Sequence, residues 1–240
     1  MVYVLDPEGA EPRALHRLVD FQDKDILEIG CGDGRLTWRY ADHAASVLAI
    51  DPKEGEIALA EEHTPEHLRS TVKFQIADIA TLAPPEAAFD IAIFSWPIRC
   101  IPSEGVADAL DQLHRSLRPN GVVLDVHPRP EHSRVEVWVD GKSTECGNLN
   151  ESSLIQSINA TQLNLASAIW DGYLVHEETR HFEFLYHFDS VDACESYLAE
   201  EWRDCEVDPA LMSRARELLA NKEGETVIRE PMQAARLRRS

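Results

Sequence analysis

Apolar residues in this chain fall into short runs of strand length separated by stretches with helical spacing. Runs at 25–29, 46–50, 72–76, 89–94 and 121–126 are short and mostly apolar, of strand length. Between them, 34–43, 53–63 and 103–117 have helical spacing, and Glu11 to Phe21 places Ala14, Leu15, Leu18, Val19 and Phe21 along one helical face. Strand and helix therefore alternate through the first half, which predicts an α/β fold with a doubly wound, mostly parallel sheet. Pro84-Pro85 breaks the chain before the fourth run, and Pro119-Asn120-Gly121 turns it into the fifth.

Beyond His127 the pattern loosens. Val135 to Val139 alternates like a strand and Asp140-Gly141 is a hairpin signal. Glu151 to Trp170 is compatible with helix, and Glu178 to Phe188 reads as a strand with Phe182, Phe184 and Tyr186 on one face, His181 and His187 on the other. Ser190 and Asp208 are N-cap candidates for helices ending near Trp202 and Asn221, and Glu225 to Leu237 would be a closing strand.

The most informative residues lie where the first strand meets its helix. Ile26-Leu-Glu-Ile-Gly-Cys-Gly-Asp-Gly-Arg-Leu-Thr37 carries an acid and then glycines at Gly30, Gly32 and Gly34. A turn of this kind lets the backbone close on a ligand at the carboxyl ends of parallel strands. A dinucleotide turn requires G-x-G-x-x-G and an anion at the helix N-terminus. The spacing here is G-x-G-x-G, and a carboxylate, Glu28, at the mouth would repel a diphosphate and favour a cation. S-adenosylmethionine, with its sulfonium and ammonium groups, matches that demand. Asp51 and Pro52 end the second strand, where the acid could accept from ribose hydroxyls, as it would in nicotinamide enzymes too. Asp78-Ile79 ends the third, with a carboxylate suited to an adenine amino group and an apolar side chain suited to the ring.

Taken in order, Glu28 to Gly34, Asp51, Asp78-Ile79, Phe89 to Trp96 and Leu113 to Gly121 resemble the class I S-adenosylmethionine-dependent methyltransferases, in particular the small-molecule group labelled type 11, over about residues 13 to 128. The resemblance implies a seven-stranded sheet of order 3-2-1-4-5-7-6 ending in an antiparallel pair. It also implies that Gly30 and Gly32 lie against the methionine part, Asp51 at the ribose, Asp78 and Ile79 at the adenine, and Phe94-Ser95 at the methionine side, with Glu28, Cys31 and Pro52 counted among the cofactor-binding residues. A single domain over 1–240 is expected, with a cofactor core at 1–128 and residues 129–240 completing the sheet and the acceptor pocket.

Methyl transfer is an in-line displacement that needs alignment and, for some nucleophiles, a base. His127, at the end of the fifth strand, is the candidate base, set against a hydrogen-bonded structural histidine. Trp96 reads as an aromatic wall or a core residue, and Arg99 as a hold on an acceptor anion or an ion-paired surface arginine. The segment Ser95-Trp96-Pro97-Ile98 lacks the Asn-Pro-Pro-Tyr motif of amide and adenine methylation. His63 and His67 have ligand spacing, but Pro65 interrupts them among exposed acids, so no metal is assigned.

The net charge of −20 argues against a nucleic-acid substrate. The basic cluster Arg229, Arg236, Arg238 and Arg239 reads as a solvated or ion-paired terminal strand. No apolar run is long enough to span a bilayer, and five scattered cysteines suggest reduced thiols, so a cytoplasmic protein without a membrane partner is expected. The methyl acceptor would be a small molecule. A cofactor-binding module without catalysis and an NAD(P)-dependent oxidoreductase are the competing readings.

Overall fold

The computed structural model describes residues 3–79, 81–82, 84–95, 106–170, 172–203 and 205–240. The chain divides into two compact units, and the boundary is not a single cut near residue 128. One unit comprises Pro12–His127, Ala160–Arg180 and Gln233–Ser240, and the other Met1–Glu11, Pro128–Asn159 and His181–Met232.

The first of these holds the parallel sheet. Its strands are β2 (Asp25–Ile29), β3 (Ser46–Asp51), β4 (Val72–Ile76), β5 (Phe89–Ser95) and β6 (Leu117–Pro128), with parts of β9 (Leu174–Phe188) and β10 (Glu225–Arg239). They run in the order β4-β3-β2-β5-β6-β10-β9. Counted as seven strands, this is the expected 3-2-1-4-5-7-6. The pairs β2–β3, β2–β5, β3–β4 and β5–β6 are parallel. The central runs became strands because both faces are covered, whereas β4 leaves Lys73 and Ile76 exposed. On one face Leu27, Ile29, Ile50, Ala92, Phe94 and Val123 pack with Ile79 and with Ala109 and Leu113 of α3 (Val106–Ser116). Each of the larger side chains contributes roughly 1.5–3 kcal/mol when fully buried.

The amino ends of these strands are tied by charge. Arg118 of β6 donates to Asp25 of β2 at 2.9 Å and to Asp90 of β5 at 2.6 Å. Asp25 also accepts from Ser46 of β3, and the Ser46 and Arg118 hydrogen bonds hold its carboxyl below the usual value. The basic cluster at the chain's end is ion-paired in this unit: Arg236 and Arg238 both hold Glu177, at 2.8 and 2.7 Å, and Arg239 donates to the Leu117 carbonyl.

One element departs from expectation. Residues 34–43 form no α-helix but two 3-10 turns, Thr37–Arg39 and Ala41–His43. Thr37 and Tyr40, three apart, eclipse on a 3-10 turn and bring both hydroxyls to one oxygen of Glu28, at 2.5 and 2.6 Å. Tyr40 also stacks on Phe21 with ring centroids 5.0 Å apart. The β-branched and aromatic residues have little α propensity to set against these contacts.

In the other unit, β1 (Tyr3–Leu5), a strand the sequence pattern did not reveal, pairs antiparallel with β9. The hairpin β7 (Arg134–Val139) and β8 (Lys142–Asn148) turns at Asp140-Gly141, both with positive φ, as the sequence predicts. β7 pairs antiparallel with β10. Helices Val191–Glu201 and Pro209–Leu219 of this unit are capped by Ser190 and Asp208 as expected. Arg229 is ion-paired to Glu136 at 2.7 Å. His187 does not simply face solvent: it contacts Glu225 at 2.7 Å and meets Trp138 edge-on.

Candidate cofactor and acceptor site

The glycine turn leaves β2 at Ile29 and is pinned at once to β3. The amides of Gly30 and Cys31 both donate to the Ile50 carbonyl, at 2.8 and 3.1 Å. Gly32 then donates its amide to Asp51 Oδ2 at 3.1 Å, while Asp51 Oδ1 accepts from the Lys53 amide at 2.9 Å. The second acid thus joins the two strand ends predicted to share a ligand, at a position 9% exposed. A carboxylate has lone pairs beyond these two bonds with which to accept ligand hydroxyls.

The glycines are demanded by geometry at two positions. Gly32 has φ +53, and a Cβ there would have Glu56 Oε2 as its nearest side-chain atom, at 3.9 Å. Gly34 has φ +84, and a Cβ would stand 3.0 Å from both Phe74 Cζ and Trp38 Cζ2. Glu56, in the first turn of α2 (Glu54–His63), was not singled out from the sequence. A charged residue one helical turn past Asp51-Pro52 was the available signal.

The electrostatic character of the turn is visible in the Cys31 thiol. Burial pushes its pKa far up, and the negative charges of Glu28, Asp51 and Asp33 add to the effect. Cys31 is 6% exposed, and its protonated sulfur packs against the Gly32 carbonyl. This excludes a thiolate nucleophile here. The same field opposes a diphosphate and suits a cation.

The remaining predicted residues divide by where their side chains lie. Glu28 is not at the mouth of the turn: it is fully buried beneath it and holds Thr37 and Tyr40. Burial, Glu28's charge and its hydrogen bond raise the Tyr40 pKa well above normal. Ile79 and Phe94 are each 1% exposed and spend their side chains on the core, so what they present at a strand end is backbone. Pro52 is exposed, and Asp78 is half-buried with its carbonyl accepting from the Thr81 and Leu82 amides. Ser95 ends β5 opposite Val126, with its side chain outside the described set. Trp96 and Arg99 lie outside the described residues.

His127 is placed on β6, two residues beyond Asp125. Its Nε2 lies 3.4 Å from Asp125 Oδ2 and 3.0 Å from the side-chain amide of Gln233 on β10. Neither Asp125 nor Gln233 was identified from sequence. An acid inside an apolar strand, Val122-Val-Leu-Asp-Val126, was the signal for the first, whereas Gln233 comes from a strand more than a hundred residues away. No group of metal-ligating side chains occurs among the described residues. His67 instead contacts Asp42 at 2.9 Å.

With this geometry in view, the chain can be set beside known proteins. A family model described as a methyltransferase domain matches residues 26–121. The matched stretch spans the glycine turn, Asp51, Asp78-Ile79 and the start of β6. Trans-aconitate 2-methyltransferase of Variovorax paradoxus is 29% identical over 113 residues, 45% of this chain and 41% of that protein. The chain matches only 24 to 41% of the length of this and other curated methyltransferases. A solved S-adenosylmethionine-dependent methyltransferase from Mesorhizobium loti shares the fold with a TM-score of 0.53 at 18% identity, covering 95% of this chain and 96% of that one. The N-methyltransferase NodS of Bradyrhizobium japonicum, solved with S-adenosylhomocysteine, does so at 0.55 and 14% identity, covering 95% and 84%. No helix among the described residues is long and apolar enough to cross a membrane.

Proposed function

We propose that the protein transfers a methyl group from S-adenosylmethionine to a small-molecule acceptor. The observation that carries this is the bond from the Gly32 amide to Asp51. It brings a ribose-binding acid and a positive-φ glycine turn together in a negative field that a sulfonium cofactor tolerates and a diphosphate does not. In this reading Gly30, Cys31 and Gly32 offer backbone to the methionine part, with Glu28 bracing the turn from below. Asp51 holds the ribose, Pro52 lies beside it, and Asp78 meets the adenine amino group. Ile79, Phe94 and Ser95 contribute backbone at the strand ends, and His127 faces the acceptor. The cofactor supplies an electrophilic methyl carbon, and these residues align it and exclude water.

The match to a methyltransferase domain supports the reaction class, and the curated relatives' names support a small acceptor. The free thiols of Cys31, Cys146, Cys194 and Cys205 support a reducing, cytoplasmic setting. Calorimetric titration with S-adenosylmethionine and with S-adenosylhomocysteine tests the proposal. Saturable binding of both is expected. Binding of neither by folded, ligand-free protein, or binding of NAD(P) in their place, overturns it.

A further inference from the structure

The edge strands β4 and β9 differ in how they meet solvent. β4 is short and carries the exposed Lys73, a charge that discourages pairing with a further strand. β9 is long, and β1 covers it only at Tyr186–Phe188, with the Asp6 amide donating to the Leu185 carbonyl just before. From Leu174 to Glu183, among the described residues, no strand pairs with the side of β9 that faces away from β10. Alternate residues of a strand turn their amides and carbonyls to one edge, so this stretch presents a row of backbone donors and acceptors. It contains neither proline nor lysine, the residues with which edges are commonly blunted.

Its charges favour a particular occupant. The chain carries a net charge of −20, so two copies repel wherever both surfaces share that sign. This edge does not share it. Glu177 is held by Arg236 and Arg238, and Glu178 is ion-paired with Arg180 along the strand, which sets three guanidiniums against two carboxylates.

We propose that residues 174–183 of β9 pair antiparallel with the same stretch of a second copy, centred on Thr179, so that the two sheets join edge to edge. A two-fold axis across such an edge keeps every side chain on its own face of the joined sheet, so it passes beside one residue that meets its own copy. A centre at Glu177 or Glu178 sets that carboxylate against itself, and a centre at Arg180 sets guanidinium against guanidinium. The centre at Thr179 sets Glu178 against the partner's Arg180, Glu177 against the partner's His181 and His176 against the partner's Phe182. Opposite charges directly across an antiparallel pair stabilise it, and like charges do the reverse. On the Glu178 face, the ion pair that each copy makes along its own strand closes with its mate into a ring of four alternating charges. Backbone hydrogen bonds supply the affinity and the charges fix the register.

Sedimentation velocity of the full chain tests the pairing. Wild-type protein should pass from monomer to dimer between about 1 and 100 µM, the range suited to a small interface. Glu178→Arg and Arg180→Glu alter partly exposed side chains, and each should weaken self-association about 10-fold or more, because like charges then face each other twice. An equimolar mixture of these two variants should restore it, since the arginines of each copy of one then face the glutamates of the other. Wild-type protein that stays monomeric over that range overturns the proposal whether or not the variants fold. Dimers undiminished in both folded variants lie on another face and overturn it too, and a mixture that associates no better than its components overturns the Thr179 register. Arg180→Gln, a milder change for the case in which a reversal does not fold, should weaken the dimer several-fold, and an unchanged dimer there overturns the charge pairing.

Discussion

The two ends of the parallel strands both gather acids, but they treat them differently. At the amino ends Asp25 and Asp90 share Arg118, and Asp25 also accepts from Ser46. At the carboxyl ends Asp51 accepts only backbone amides among the described residues, Glu56 stands by the glycine turn, and Asp125 has a histidine as its neighbour. An acid with an arginine partner is closed off electrostatically and fixes strand position. An acid held by amides keeps its charge and lone pairs for a ligand. Glu28 shows that position alone does not decide: it lies near the carboxyl end of β2, yet it is bound to two buried hydroxyls and behaves as structure.

The largest effect should come from removing the donors to Glu28. Thr37→Val combined with Tyr40→Phe leaves a buried carboxylate short of two hydrogen bonds and should cost about 3 kcal/mol of stability in urea denaturation. A loss of cofactor affinity without a loss of stability would move Glu28 from brace to ligand. Next, Asp51→Ala should weaken S-adenosylhomocysteine binding about 10- to 100-fold by calorimetry, the worth of hydrogen bonds to a charged group. Unchanged affinity would erase the distinction between the two ends of the sheet.

Arg118→Met at the opposite end should cost about 1–2 kcal/mol, discounted because the group is partly exposed, and leave cofactor affinity unaltered. The smallest effect concerns acid. Asp25 has a lowered carboxyl pKa in the folded state, chiefly through the Ser46 and Arg118 hydrogen bonds. Its contribution is therefore present above its unfolded value of 3.8 and lost as the pH falls below that through the folded value. Stability measured from pH 5 down to pH 2 should fall less steeply in Arg118→Met than in the wild type.

Much of this was legible in the linear pattern. The runs at Asp25, Ser46 and Phe89 were strands because mostly apolar stretches of that length suit a sheet covered on both faces, the Val72 run because its apolar residues alternate with polar ones, and Asp140-Gly141 turned because both positions tolerate positive φ. The stretch 34–43 was misread because its helical spacing is local, whereas the contacts that shape it reach back to Glu28 and Phe21. Tyr3–Leu5 escaped notice because three residues carry too little periodicity, and their partner lies at Tyr186–Phe188.

By itself, the sequence determined the order of strands and helices, the glycine turn and the acid at Asp51, since each depends on residues close together in the chain. Only the tertiary structure decided which acids are available. Glu28, Asp51 and Asp125 look alike as letters in apolar strands, and what separates them is the donor each meets: hydroxyls from a tight turn, amides from a neighbouring loop, or an imidazole shared with a strand from the far end of the chain. Those encounters are set by packing across the sheet, where burial makes every polar partner count and local periodicity carries no record of it.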